Sequence, residues 1–141
     1  MNPNPTPDTE LHERLRNAGV TPTAQRLAIA RVLFERPQHV CADQLIEQLR
    51  LRGGEGVSKA TVYNTLGLFA RTGLVREVFA DPTRVFYDSN TSHHHHLFDV
   101  EHGTLTDLPA DQVRLSALPA LTEEQELAGV DIIIRVRPRR R

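Results

Sequence analysis

At Gly73 the periodicity of this sequence changes, and that change constrains the fold more than any other feature. Upstream, SKATVYNTLGLFARTG places Val62, Leu66 and Phe69 at i, i+4 and i+7, the inner stripe of a helix begun by Ser58. Downstream, LVREVFA and RVFYD alternate with period two around Asp81, Pro82 and Thr83, which reads as a β-hairpin. Helices followed by a hairpin, with a polar outer face on the last helix, is the winged helix-turn-helix order. In that arrangement the last helix enters the major groove and the hairpin lies along the DNA backbone. The outer face carries Lys59, Thr61, Tyr63 and Asn64. Such a face is also what any solvated helix shows; Tyr63 tilts the reading, because an exposed aromatic ring packs on a thymine methyl or a sugar.

The earlier elements are punctuated as helices. One is expected from about residue 9 to 17, with Leu11 and Leu15 inward and Gly19 beyond its end. The stretch GVTPTAQRLAIARVLFERP predicts a second, with Thr21 as N-cap, Pro22 at the first helical position and Pro37 closing it. Its apolar residues cover most of the circumference, so it is expected to be central. A third runs from about residue 42 to 52, with Leu45, Ile46 and Leu49 inward and Gly53-Gly54 ending it. Residues before position 9 are rich in Pro and Asn and are expected to be disordered.

Beyond the hairpin, LFDV and TLTDL flank a turn at Glu101, His102 and Gly103, residues 110–118 suggest a short helix, and GVDIIIRV from residue 129 to 136 suggests a strand. So small a β-rich segment rarely stands alone, and pairing with a second copy makes it a dimerisation module. The class is therefore α+β: residues 1–9 disordered, 10–88 a winged-helix DNA-binding domain, 89–137 a small metal-binding α/β dimerisation domain, and 138–141 a basic tail. That tail, RPRRR with its lead-in, is either solvated or an auxiliary phosphate contact.

Between the two parts lies SNTSHHHHLFDVEHG. Along an extended backbone His94 and His96 point one way and His93 and His95 the other, so each pair converges on its own side. Neutral imidazole is a common ligand for zinc, iron(II), manganese and nickel. With a two-residue turn, Asp107 falls opposite Phe98, on the His94/His96 face. Asp88, at the end of the hairpin, and His39, in the loop before the third helix, are the more distant donors. An ion held by such a set ties the two parts together and makes DNA affinity depend on metal.

Composition removes several classes. Cys41 is the one cysteine in 141 residues, so an intrachain disulfide and a cysteine-built zinc site are excluded. Nitrogen and oxygen donors lean toward iron(II) or manganese. No apolar run approaches a membrane span, and the chain reads as cytoplasmic. The basic excess of the first 85 residues, 11 Lys/Arg against 9 Asp/Glu, is by itself weak evidence for nucleic acid.

GVTPTAQRLAIARVL, SKATVYNTLGLF, the VREV…RVFYD hairpin and the HHHHL segment together resemble the ferric uptake regulator family, over roughly residues 10 to 137. The resemblance implies a dimeric, metal-responsive transcription factor with an N-terminal winged helix and a C-terminal α/β dimerisation domain. ATVYNTL and NTSHHHHL look most like its iron response regulator branch, which implies control of haem and iron genes. It implies His39, Asp88, His94, His96 and Asp107 as regulatory ligands for Fe2+, Mn2+ or Zn2+, and a second set containing His93, His95 and Asp131. For a double-stranded operator it implies Tyr63, Thr61 and Asn64 on the recognition helix, with Thr21, Arg26 and Lys59 beside them. Many relatives carry Arg where Asn64 stands. The paired Cys-x-x-Cys motifs of many relatives are absent, with Asp99 and His102 near the place of the first, and so is a Gly-Cys-Pro haem motif; haem binding would fall to His94 and His95.

Two rivals to an iron- or haem-linked repressor remain. A peroxide sensor of the same family would oxidise His39 or His94 by iron chemistry. A metallohydrolase or metal buffer would need a ligand-free metal position and a general base; there is no H-E-x-x-H, and the nearby acids already serve as ligands, so an enzyme is not expected.

Overall fold

The computed structural model describes residues 7–53 and 56–140. The chain divides after Thr91 into two compact units, three residues beyond the boundary expected at Asp88. The order of elements in the first unit is α1 (Pro7–Asn17), α2 (Ala24–Phe34), β1 (His39–Cys41), α3 (Ala42–Leu51), α4 (Lys59–Arg71), β2 (Arg76–Asp81) and β3 (Arg84–Asp88). The expectation of disorder through residue 9 is corrected for residues 7–9, which are helical; residues 1–6 lie outside the described residues. Asp8 explains the earlier start, because its carboxylate accepts from Arg31 Nε at 2.9 Å and Nη2 at 3.2 Å, tying the first turn of α1 to α2.

The N-cap of α2 is Thr23 and not Thr21. Thr23 has the extended backbone a cap requires (φ −86°, ψ 162°), and its hydroxyl accepts from Arg26 N at 3.2 Å. Thr21 lies in the preceding turn, where its carbonyl accepts from Thr23 N at 3.0 Å. Ser58 caps α4 as expected, accepting from Thr61 N at 3.1 Å. Leu15, Ile29, Leu33, Leu45, Val62, Leu66 and Phe69 are fully buried and join the four helices in one core. Each contributes about 1.5–3 kcal/mol by leaving water. The expected ending of α3 falls on Gly53, whose φ of +72° suits glycine, and on Gly54, which lies outside the described residues.

His39 is in a strand, not a loop. β1 pairs antiparallel with β3, so the hairpin becomes a three-stranded sheet of order β1-β3-β2. The β2–β3 register runs from Arg76↔Asp88 to Asp81↔Arg84 and slips between Val78 and Asp81, a bulge that leaves Phe79 exposed and Ala80 buried.

The second unit contains β4 (His94–Asp99), β5 (Thr104–Pro109), a single 3-10 turn at Ala110–Gln112 and β6 (Ile133–Val136). Its sheet has the order β5-β4-β6, with β4 antiparallel to β5 and parallel to β6. The expected helix over residues 110–118 is replaced by that one turn. Val113, Leu115 and Leu118 make no i, i+4 stripe, and nine residues without a packed face do not hold a helix in water. β6 starts at Ile133 because its partner runs out: with His96↔Ile133 in register, Gly129 would face Ser92, before β4 begins. Among the described residues no helix is long and apolar enough to cross a membrane.

Candidate functional site

On the first unit, α4 presents Lys59, Tyr63 and Asn64 to solvent, and Tyr63 is 46% exposed. Lys59 Nζ lies 5.9 Å from the Tyr63 ring centroid and 3.9 Å from an Asp43 carboxylate oxygen. Thr61 is half-buried, its hydroxyl 2.9 Å from that of Ser58. A cavity of about 270 Å³ opens between the start of α2 and α4, lined by Arg26, Thr61 and Asn64 together with Thr23, Gln25, Thr65 and Leu68. Arg26 Nη1 donates to the Thr21 carbonyl at 3.0 Å, which sets the guanidinium over the helix start. Arg26, Thr61 and Asn64 thus share one polar surface, with Thr21 joined through Arg26 and Lys59 through Tyr63. Thr23, Gln25 and Thr65 were not singled out from sequence. The first two stand at a helix start beside Arg26, a usable signal; Thr65, one turn after Thr61, carries none.

The same unit holds two of the expected metal donors. The register His39↔Asp88 and Arg76↔Asp88 lines up a half-buried imidazole, a fully buried carboxylate and a guanidinium across three strands. Cross-strand partners on one face are close enough to interact. Asn90 N donates to Asp88 Oδ1 at 2.9 Å, orienting the carboxylate.

On the second unit, period-two alternation separates the imidazoles into pairs: His94 and His96 have ring centroids 4.6 Å apart, His93 and His95 5.1 Å. His94, His95 and His96 are all buried. The residue opposite His96 is Asp107, not Leu105; Phe98 faces Leu105 and the turn is longer than expected. Asp99 widens it, its carboxylate accepting from Glu101 N, His102 N and His102 Nδ1 at 2.9, 3.0 and 2.9 Å. The pairing shifts by two residues, and an even shift keeps Asp107 on the His94/His96 face, where an odd one would have removed it.

This arrangement fits a cation. The Ser92 carbonyl, which can only accept, lies 2.7 Å from His94 Nδ1, so that nitrogen carries the proton and Nε2 presents a lone pair. Nε2 of His94 is 3.4 Å, and Nε2 of His96 3.7 Å, from Asp107 Oδ1. One donor atom from each of the three lies within 4.8 Å of the others. A divalent ion about 2.0–2.1 Å from its ligands spaces neighbouring donors roughly 3.0–3.4 Å apart, so a small inward movement suffices. Lone pairs and a carboxylate converging in a buried place repel one another without a positive charge between them. For the second set, His93 is exposed, His95 buried and Asp131 exposed, and among the described residues no group of three donors within reach includes them.

At the hairpin tip, hydrogen bonds to Asp99, first from the His102 backbone and then from its ring, hold that carboxyl below its ordinary range. The reciprocal side-chain bond raises the pKa of His102. Cys41 is buried at the start of α3, with Arg84 Nη1 3.9 Å from its sulfur.

Residues 17–133 match the family model described as "Ferric uptake regulator family". The chain belongs to the ferric uptake regulator family. Its relatives include the peroxide-responsive repressor PerR of Staphylococcus epidermidis, 34% identical over 124 residues, 86% of this chain and 77% of that protein. The fold is that of the ferric uptake regulator of Pseudomonas aeruginosa solved with manganese, at TM-score 0.69 and 24% identity over 92% of this chain and 98% of that one. The ferric uptake regulator of Francisella tularensis solved with iron superposes at TM-score 0.68, with 21% identity over 85% and 92% of the two chains. This family member is thus a metal-responsive DNA-binding regulator and not an enzyme, with the expected α+β order of a helical N-terminal winged-helix part and a small C-terminal part.

Proposed function

We propose that this regulator is a homodimeric, iron- or haem-linked cytoplasmic repressor of iron-homeostasis genes, in which residues 10–88 read the operator and residues 89–137 dimerise and sense metal. The observation that carries the reading is the convergence of His94, His96 and Asp107 on one buried face, at spacings close to those a divalent ion imposes. His39 and Asp88 would complete the regulatory set, and a bound ion would supply the charge that holds all five donors in one arrangement. Iron(II) or manganese suits these nitrogen and oxygen donors better than a thiolate-rich zinc site does. DNA contact is assigned to Tyr63, Asn64, Thr61 and Lys59 on α4, and to Arg26 and Thr21 at the start of α2. His93, His95 and Asp131 are the donors of a second site whose remaining ligand lies elsewhere, and His94 and His95 are the haem ligands if haem is the signal.

Metal analysis of protein purified without chelator or affinity tag, followed by DNA titrations with and without metal at fixed salt, tests this. His96→Ala is expected to leave a folded dimer whose operator binding no longer responds to metal; an unchanged response rules His96 out as a sensing ligand. The likeness to PerR favours a second reading, in which iron bound at this site oxidises His39 or His94. Peroxide treatment of the iron-loaded protein followed by mass spectrometry separates the two, since only the second predicts an added oxygen on those histidines.

A further inference from the structure

The second unit leaves much of its apolar surface uncovered. Phe98 and Leu105 are its only buried core hydrophobics among the described residues, yet Leu115, Leu118, Leu121 and Leu127 are 51%, 51%, 48% and 55% exposed. Every residue from 114 to 129 is exposed, and the segment forms neither helix nor strand. It is closed locally by one turn, in which Gln125 N donates to the Thr122 carbonyl at 3.1 Å and the Gln125 side chain accepts from Thr122 N at 3.2 Å. A single exposed leucine is ordinary, but four along one stretch mark a contact surface. The charges around them are patterned too. Glu123, Glu124 and Glu126 stand between Leu121 and Leu127, while Arg135, Arg137, Arg139 and Arg140 are exposed along β6 and the residues after it. No ion pair joins these acids and bases among the described residues.

We infer that residues 114–127 form an arm that clasps a second copy of this chain, its leucines on the partner's sheet and its glutamates on the partner's arginines at and after β6. A unit bearing both an acidic arm and a basic strand is self-complementary under a twofold axis: each arm meets the other copy's arginines, and the contact is made twice. β6 is an edge strand, so its outer side is open to such a neighbour. Nucleic acid fits the same surface less well, since phosphates attract the arginines and repel the three glutamates beside them. This inference rests on the dimeric reading above and adds the surface that makes the dimer.

Charge exchange in the full-length protein tests it. One variant carries Glu123→Lys, Glu124→Lys and Glu126→Lys; the other carries Arg137→Glu, Arg139→Glu and Arg140→Glu. Each alone sets like charges together at both contacts, so sedimentation at low salt is expected to show a dimer dissociation constant raised at least about tenfold for each. Mixed, the two restore opposite charges at both contacts, and a mixed dimer is expected to form with an affinity close to that of the native chain. Leu118→Ser with Leu121→Ser is expected to weaken the dimer at any salt. Variants that dimerise as tightly as the native chain overturn the arm while leaving the dimer standing. So does a mixture that gives no rescue, or an arginine variant that loses only DNA binding. A native chain that is itself monomeric removes the dimeric reading and the arm together.

Discussion

At the scale of single residues, the charged groups of this chain separate into those that tie a turn and those that face a ligand. His102 and Asp99 belong to the first kind. The His102 pKa is raised above its ordinary 6.5 by the bond to Asp99, so the stability this contributes is complete below 6.5 and lost as pH rises through the raised value. The Asp99 pKa is lowered from 3.8, so the same bond is complete above 3.8 and lost as pH falls through the lowered value. The hairpin tip is therefore tightest between 3.8 and 6.5. NMR titration is expected to give His102 a pKa above 6.5, and Asp99→Asn is expected to return it toward that value. Tyr63 belongs to the second kind. Its exposed ring beside Lys59 makes no core contact that folding needs, so Tyr63→Ala should weaken operator binding by about 1–3 kcal/mol and leave metal stoichiometry unchanged. A loss of metal in that variant would contradict the separation of reading from sensing. The pairing of His94 with His96 was legible in sequence because a strand has period two. The Ser92 carbonyl that sets the His94 tautomer was not, since a backbone acceptor leaves no mark on residue identity.

At the scale of elements, what could be read depended on whether a signal was local. Helices α1 to α4 announced themselves through apolar spacing and caps, and the β2–β3 hairpin through alternation about Pro82-Thr83. β1 did not, because three residues, His-Val-Cys, carry no period and owe their strand to pairing with β3. The β4–β5 register was equally hidden, since three hydrogen bonds to Asp99 set the loop length. The α2 cap was missed by two residues because Thr21 and Thr23 are the same amino acid flanking one proline, and only the backbone angles decide between them. That choice can be measured. Thr23→Ala should destabilise the first unit by about 1 kcal/mol through loss of the hydroxyl that accepts from Arg26 N, with Thr21→Ala costing less, as read from denaturant midpoints. Equal effects would mean that the hydroxyl at 23 does not act as the cap.

At the scale of the whole molecule, the two units are unequally equipped to stay folded. The first has a continuous core in which seven large side chains are fully buried, while the second buries Phe98, Leu105 and three histidines. A sheet with so small an apolar core depends on what binds it, whether an ion or a second copy. An ion that binds only the folded state adds RT ln(1 + [L]/Kd), about 2.7 kcal/mol at one hundred times Kd, and hydrogen exchange locates that stabilisation segment by segment. Saturating metal is therefore expected to slow exchange of β4 and β5 amides by roughly a hundredfold, and His96→Ala to abolish the effect. The response of the first unit then decides how many donors the ion recruits. If His39 and Asp88 join the three donors of the second unit, β1 and β3 gain protection along with β4, and the metal links the DNA-reading unit to the dimerising one. If protection stops at Ser92, the ion is held by the second unit alone, and metal must reach DNA affinity through dimerisation instead.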